Sequence, residues 1–232
     1  MSDDEKAGRK VAVALELPQG ARAYLESIFE MEEEGARIAQ ARIARRLGVS
    51  AATVSEHVRR LDKDGLIEID GRDIRLTQVG RETAAPLVRR HRLAERLLTD
   101  ILEIPWHRAH HEAEAWEHVI SPEVEERILA KTGARTCPHG NPIPGLDPPY
   151  DRSRLTPLTE LKHGETGVLT LLTEDVELVD RVLEYFERHR LMPGARITVI
   201  SVGPDGTLGL TVDGEHASLG ASLADNIWVI PE

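Results

Sequence analysis

Ile43-Ala44-Arg45-Arg46-Leu47-Gly48-Val49-Ser50-Ala51-Ala52-Thr53-Val54-Ser55-Glu56-His57-Val58-Arg59-Arg60-Leu61 is the stretch that decides the fold. Two helical apolar patterns meet at Gly48. Before it, Ile43, Ala44 and Leu47 fall on one helix face. After it, Ser50 is suited to cap a helix by accepting from an amide just inside it, and Val54, Val58 and Leu61 form the next apolar face. The spacing predicts helices over 39–47 and 51–63 with Gly48-Val49 as the turn. Upstream, Tyr24, Leu25, Ile28 and Phe29 predict a helix from Gln19 to about Glu34, ended by Gly35. Downstream, Leu66-Ile67-Glu68-Ile69 and Ile74-Arg75-Leu76-Thr77 flank the turn-forming Asp70-Gly71-Arg72-Asp73, which predicts a β-hairpin. Helix, helix-turn-helix and hairpin in this order make a winged helix-turn-helix.

Charge supports a nucleic-acid role for this segment alone. The chain of 232 residues carries a formal net charge of -11, so it does not coat nucleic acid along its length. Residues 37–63 oppose that trend, with Arg37, Arg42, Arg45, Arg46, Arg59, Arg60 and Lys63 against Glu56 and Asp62. The small Ala51 and Ala52 would let the second helix of the motif approach base edges in a major groove. Ser50, Thr53 and Ser55 can donate to phosphates. Arg42, Arg59, Arg60 and the wing's Arg72 and Arg75 can neutralise them. Glu56 suits a cytosine amino group, and His57 lies on the same helix. The alternative is a winged helix used for protein contacts.

Beyond the wing, residues 78–102 predict a long helix that Pro86 should kink or interrupt. Pro105–Val119 predicts another, and Ser121 to about Lys131 a third. Pro138, Pro142, Pro144, Pro148, Pro149 and Pro157 mark 136–157 as a Pro-rich linker. Strands are expected at 167–173, 196–201, 207–212 and 226–230, with a helix over 177–190. The fold class is mainly α with a C-terminal all-β module. The expected domains are an N-terminal arm and winged helix-turn-helix (1–77), a helical domain (78–135), the linker (136–157) and an SH3-like barrel (158–232).

The segment His110-His111-Glu112-Ala113-Glu114-Ala115-Trp116-Glu117-His118 is rich in metal ligands. On a continuous helix, His110, Glu114, Glu117 and His118 share one face. Two imidazoles and two carboxylates suit a borderline-to-hard divalent cation. His91 and Glu95 add a second pair one turn apart. A zinc-peptidase pattern fails because position 115 is Ala. A thiolate zinc site fails because Cys137 is the single cysteine, and Cys137 and His139 read as incidental to the linker. A metal-dependent hydrolase lacks a nucleophile or base in the sequence. No apolar run approaches a bilayer span and the N-terminus lacks a signal-peptide core, so a cytoplasmic protein without membrane contact is expected.

Arg90–Asp100, Trp116-Glu117-His118-Val119, Gly140-Asn141-Pro142-Ile143-Pro144-Gly145 and Tyr24-Leu25 together resemble the diphtheria-toxin-repressor family of iron- and manganese-dependent regulators. The resemblance is close over residues 20 to about 147 and looser over the barrel, which is similar to the family's SH3-like, ferrous-transport-A-like domain. It implies an ancillary metal site of His91, Glu95 and His110, with Glu174 and Glu177 added from the barrel. It implies a primary site of Glu114, Glu117 and His118, with Glu26 from the first helix. Iron-responding members carry Cys where this chain has Glu114 and Met where it has Ala23. Carboxylate in place of sulfur makes the site harder, so Mn²⁺ is favoured over Fe²⁺. The resemblance further implies a homodimer joined through the Leu-rich helices after the wing, double-stranded DNA with an inverted-repeat operator, and repression of metal-uptake genes. Bound metal would fix the winged helix for DNA. A metal-free winged-helix adaptor is the rival of another class.

Overall fold

The computed structural model describes residues 17–179 and 181–232. The N-terminal arm expected at the start of the 1–77 domain therefore falls, up to residue 16, outside the described residues. Two compact units partition the chain, one holding the described residues up to His91 together with Ile120–Glu125, the other Arg92–Val119 with Glu126–Glu232.

The first unit opens with α1 (Gln19–Glu33), α2 (Gln40–Leu47) and α3 (Ala51–Lys63). Strands β1 (Ile67–Asp70) and β2 (Asp73–Leu76) pair antiparallel, with Ile69 opposite Ile74. The apolar periodicity converges as the pattern requires: Leu25, Ile28, Ile43, Val54, Val58, Leu61, Ile74 and Leu76 are all buried in one core. Ser50 caps α3, its Oγ accepting from the Thr53 amide at 3.2 Å. Arg46 is buried, and its guanidinium donates to both oxygens of Glu34 at 3.0 and 2.8 Å. This pair takes one cation of the basic segment away from any phosphate-facing surface.

Helix α4 (Gln78–Asp100) runs through Pro86 without a break. Of the two outcomes expected there, a kink or an end, the end does not occur. A helix-interior proline costs about 3 kcal/mol, and buried Ala84, Leu87 and Val88 around it supply packing of that order.

In the second unit a 3₁₀ turn (Trp106–Arg108) precedes α5 (Ala109–Trp116); α6 (Pro122–Thr132) begins in the first unit and continues into the second from Glu126. The single helix expected over 105–119 is thus a short α-helix with a 3₁₀ start. It ends before Glu117 in a turn closed by the Val119 amide on the Trp116 carbonyl at 3.0 Å, and Pro122 bars continuation. The barrel is a six-stranded antiparallel sheet. Its strands are β3 (Thr156–Pro157), β4 (Thr166–Leu172), β5 (Arg196–Val202), β6 (Leu208–Val212), β7 (Glu215–Leu219) and β8 (Ile227–Pro231), in the order β3-β8-β4-β5-β6-β7. Leu169, Ile197, Val199, Leu210, Val212 and Val229 fill its interior. Strand β7 was not anticipated, because Glu215-His216-Ala217-Ser218 lacks an apolar alternation. The helix expected over 177–190 is two, α7 (Glu174–Glu177) and α8 (Val182–Arg188), parted where Arg181 takes a positive φ of 64°. A short α9 (Ala221–Ala224) precedes β8.

Residues 137–143, expected to be linker, are buried. Arg92 donates to the Pro142 carbonyl at 2.5 Å, and Arg96 to the carbonyls of Thr136 and Cys137 at 2.7 and 3.2 Å. Asn141 Nδ2 donates to Leu172 O at 3.0 Å, and the Leu172 amide donates to His139 O at 3.0 Å. Gly140 makes this turn possible. Its φ is +96°, and a Cβ there would lie 2.1 Å from the Thr170 carbonyl oxygen.

Candidate metal centre

The pinned loop turns Cys137 and His139 inward against α4. There Glu95, Cys137 and His139 bring one ligand atom each within 4.8 Å of one another, as do His110, Glu174 and Glu177. The two groups are one cluster. Glu95 Oε1 lies 3.3 Å from His139 Nδ1 and 3.4 Å from His110 Nδ1. Glu177 Oε2 lies 3.1 Å from His139 Nδ1 and 2.8 Å from His110 Nδ1. Glu174 Oε2 stands 3.9 Å from His110 Nδ1, while its other oxygen accepts from Arg92 at 3.2 Å. The side chains of His139, Glu95 and Glu177 are at most 1% exposed, while His110, half-buried, borders a surface cavity.

Its electrostatics are set by burial and by the mutual fields of its carboxylates and imidazoles. Burial alone would drive His139 toward its neutral form, but the carboxylates of Glu177 and Glu95 outweigh that and raise its pKa well above 6.5. Burial, then the Glu95 charge, pushes the Cys137 thiol up to about 11. Burial and the neighbouring Glu177 raise Glu174 to about 7, against the pull of Arg92. Glu177 resists its own burial because His139 and His110 face it, and it falls to about 2. Both ring nitrogens of His139 and both oxygens of Glu177 nonetheless lack a hydrogen bond of good geometry. Buried polar atoms in that condition call for an explanation. Two imidazoles, a thiol and three carboxylates converging on one point form a donor set that fits a divalent transition metal.

Glu95, His110, Glu174 and Glu177 meet in this cluster. His91 is buried one turn before Glu95 on α4. Cys137 and His139, taken as incidental, sit at its heart. The convergent Cys-Pro-His spacing in a Pro/Gly-rich loop was the signal available for them. Of the four residues expected to share one face, His110 and Glu114 lie on α5, Glu117 is its C-cap, with αR dihedrals and its amide on the Ala113 carbonyl at 2.9 Å, and His118 follows in the turn. Glu114 is 57% exposed, 3.6 Å from His111. Glu117 is nearly buried, 3.5 Å from His118. Glu26 belongs to the first unit, on α1.

On the winged helix, Ser50, Ala52, Thr53, Glu56, Arg59, Arg60 and Arg72 are exposed. Arg59 donates to Ser55 Oγ at 2.7 Å. Arg42 lies 3.6 Å from Glu34, which shares its charge. His57 is stacked on Tyr24, ring centroids 4.3 Å apart and 13° from parallel, so one face of its ring is covered.

Known proteins share both the sequence and this architecture. Residues 16–73 match the N-terminal DNA binding domain of iron dependent repressors, and 77–145 their metal binding and dimerisation domain. The chain belongs to the diphtheria-toxin-repressor family of metal-dependent regulators. Residues 156–231 match the FeoA domain. The iron-dependent repressor IdeR of Mycobacterium tuberculosis is 39% identical over 230 residues, covering 92% of this chain and 98% of that one. A manganese-dependent transcriptional repressor in complex with manganese superposes with a TM-score of 0.79 at 33% identity, covering 91% of this chain and all of the other. The IdeR crystal structure from T. acidophilum gives 0.75 at 29% identity, covering 93% and 99%. This member is a metal-dependent DNA-binding repressor built on a winged helix and an SH3-like FeoA domain. Its relatives are repressors, not enzymes, which removes the hydrolase reading. Among the described residues no helix is long and apolar enough to cross a membrane.

Proposed function

We propose that this repressor is manganese-responsive and, as a homodimer on an inverted-repeat operator, represses genes of metal uptake. The observation that carries metal dependence onto particular residues is the buried convergence of Glu95, His110, Cys137, His139, Glu174 and Glu177. A bound dication would supply there the fixed positive charge that protons otherwise provide. Glu95, Glu174 and Glu177 share that charge, His110 and His139 offer lone pairs when neutral, and Cys137 offers sulfur when deprotonated. Arg92 holds Glu174 in place from the side away from His110.

The choice of manganese rests on the second set of ligands, Glu26, Glu114, Glu117 and His118. That set has no sulfur, and oxygen-rich sites suit the harder ion. Iron is the second reading, and Cys137 favours it by adding a soft donor to the buried cluster. On the DNA side the reading assigns Ser50, Ala52, Thr53, Ser55, Glu56 and His57 to the groove and Arg42, Arg59, Arg60 and Arg72 to phosphates.

Binding to promoter fragments of the host's metal-transport genes, titrated with Mn²⁺ and, without oxygen, with Fe²⁺, tests the proposal. Binding that appears at lower Mn²⁺ than Fe²⁺ and vanishes with chelator is the expected result. A lower requirement for Fe²⁺ selects the second reading. Binding that ignores chelator and metal refutes the switch and leaves the metal-free adaptor.

A further inference from the structure

One side of the cluster is closed by residues that contribute no ligand. Trp106 lies in the 3₁₀ turn before α5 and packs against the barrel core. Its indole Nε1 donates to the Pro138 carbonyl at 3.0 Å, the peptide that joins Cys137's side of the loop to His139. Its ring meets the His139 imidazole edge-on, centroids 4.6 Å apart at 61°. The same residue is gripped from the barrel. Glu187, on α8, accepts the Trp106 backbone amide through Oε1 at 3.1 Å, and its Oε2 contacts His107 Nδ1.

We infer that Trp106 is a positioning residue for the metal centre and that Glu187 holds it there. The inference rests on the metal reading of the cluster given above. The reasoning is geometric. The Cys137-Pro138-His139 segment has its orientation fixed from the α4 side by Arg92 and Arg96. On the other side the indole N–H is the bond that fixes the Pro138 peptide, and the indole edge fixes the tilt of the His139 ring. Release of the indole lets that peptide rotate and moves His139 and the Cys137 sulfur together. Glu187 acts one step further out, because both its oxygens are spent on consecutive residues of the Trp106 turn. A carboxylate on α8 thereby tunes a centre it does not touch, beyond the two carboxylates that α7 presents directly. Partners that orient ligands in this way typically change metal affinity by about 10–100-fold when removed.

The test uses the full chain loaded with Co²⁺, whose thiolate charge-transfer absorption reports Cys137 and whose visible bands report ligand geometry. Trp106→Phe keeps the apolar ring and deletes the N–H. Glu187→Gln keeps an acceptor for the Trp106 amide, and Glu187→Ala keeps none. The expected result is an affinity loss of about tenfold or more for W106F and E187A, a smaller loss for E187Q, and altered charge-transfer and visible bands in W106F. Unaltered bands and affinity in folded W106F and E187A overturn the inference. A purely structural role would lower the melting temperature of the apo-protein and leave the Co²⁺ spectrum of the folded fraction unchanged, and that result overturns it too. Should W106F not fold, the graded E187Q and E187A pair decides the matter alone. Failure of the chain to bind Co²⁺ at all in a Glu114→Ala, Glu117→Ala background refutes the metal reading itself, a result distinct from either of these.

Discussion

Loading the buried centre should expel protons, and the structure sets how many. At neutral pH the Cys137 thiol, raised to about 11, is protonated, and so is His139, raised well above 6.5. Both must lose a proton to ligate. Glu174, near 7, is about half protonated and adds a further fraction. Binding of one divalent ion at about pH 7 therefore releases about two to two and a half protons. Each proton is worth about 1.36 kcal/mol per pH unit, so affinity rises about 100-fold for each unit between about pH 6.5 and 7.5. Isothermal titration calorimetry in buffers of different ionisation enthalpy gives the count directly. A Glu114→Ala, Glu117→Ala background keeps the second set of candidate ligands from contributing. Cys137→Ser should lower the count by about one while some binding survives. Metal binding with a proton count near zero would refute the reasoning, since it would mean that Cys137 and His139 are not the ligands.

Glu174 and Glu177 give the apo-protein opposite pH dependences. The folded pKa of Glu177, about 2, is below its ordinary value, so its stabilisation is present above about 4.5 and lost as pH falls toward 2. That of Glu174, about 7, is raised, so its stabilisation is full below about 4.5 and lost as pH rises through 7. Glu174→Gln should flatten the apo melting-temperature profile between about pH 4.5 and 7, and an unchanged slope there would contradict the assignment. Gly80→Ala lies in a helix, where alanine ordinarily gains about 1 kcal/mol. Its Cβ would stand 1.8 Å from the Leu66 carbonyl oxygen, so urea denaturation should show a loss instead, of about 2–4 kcal/mol. Gly140→Ala should destabilise by a similar amount and weaken metal binding as well, since it distorts the His139 turn. Arg59→Ala and Arg72→Ala should each reduce the slope of log affinity against log salt by about one on any DNA, whereas an effect confined to one sequence would make them base readers.

The winged helix was legible because its information is local. Ser50 caps, Val54, Val58 and Leu61 repeat at helical spacing, and Asp70-Gly71 turns, so each signal sits within a few residues of what it determines. The second unit was less so. The α5 boundary depended on Pro122 outweighing a ligand-rich run that kept its helical period on paper. Strand β7 is an edge strand, with Leu219 alone fully buried among its five residues, and edge strands need no apolar alternation. The split between α7 and α8 turns on Arg181 at positive φ, for which the sequence shows no glycine or asparagine.

The metal centre was half legible for a different reason. Glu95 and His110 stand out within helical patterns, but Cys137 and His139 lie in a segment whose prolines punctuate it like a linker. Those prolines are what allow the segment to be buried. A buried loop must satisfy every backbone N–H without a ladder of its own, and proline has none to satisfy. Pro138 and Pro142 bring only carbonyls into the interior, and each carbonyl is taken by a side-chain donor, Trp106 for the first and Arg92 for the second. Three of the loop's amides close on the loop itself or its neighbours: Cys137 N–H on Asn141 O at 2.8 Å, Gly140 N–H on Cys137 O at 3.0 Å and Ile143 N–H on Arg135 O at 2.9 Å. The composition that separates domains at a surface can therefore also line an interior site, provided arginines and a tryptophan stand ready to donate. The discriminating feature is not the proline content but the presence nearby of long side chains that donate to those carbonyls. Arg96 does this from α4: its guanidinium reaches the Thr136 and Cys137 carbonyls while Asp100, one turn on, stands 3.4 Å from it.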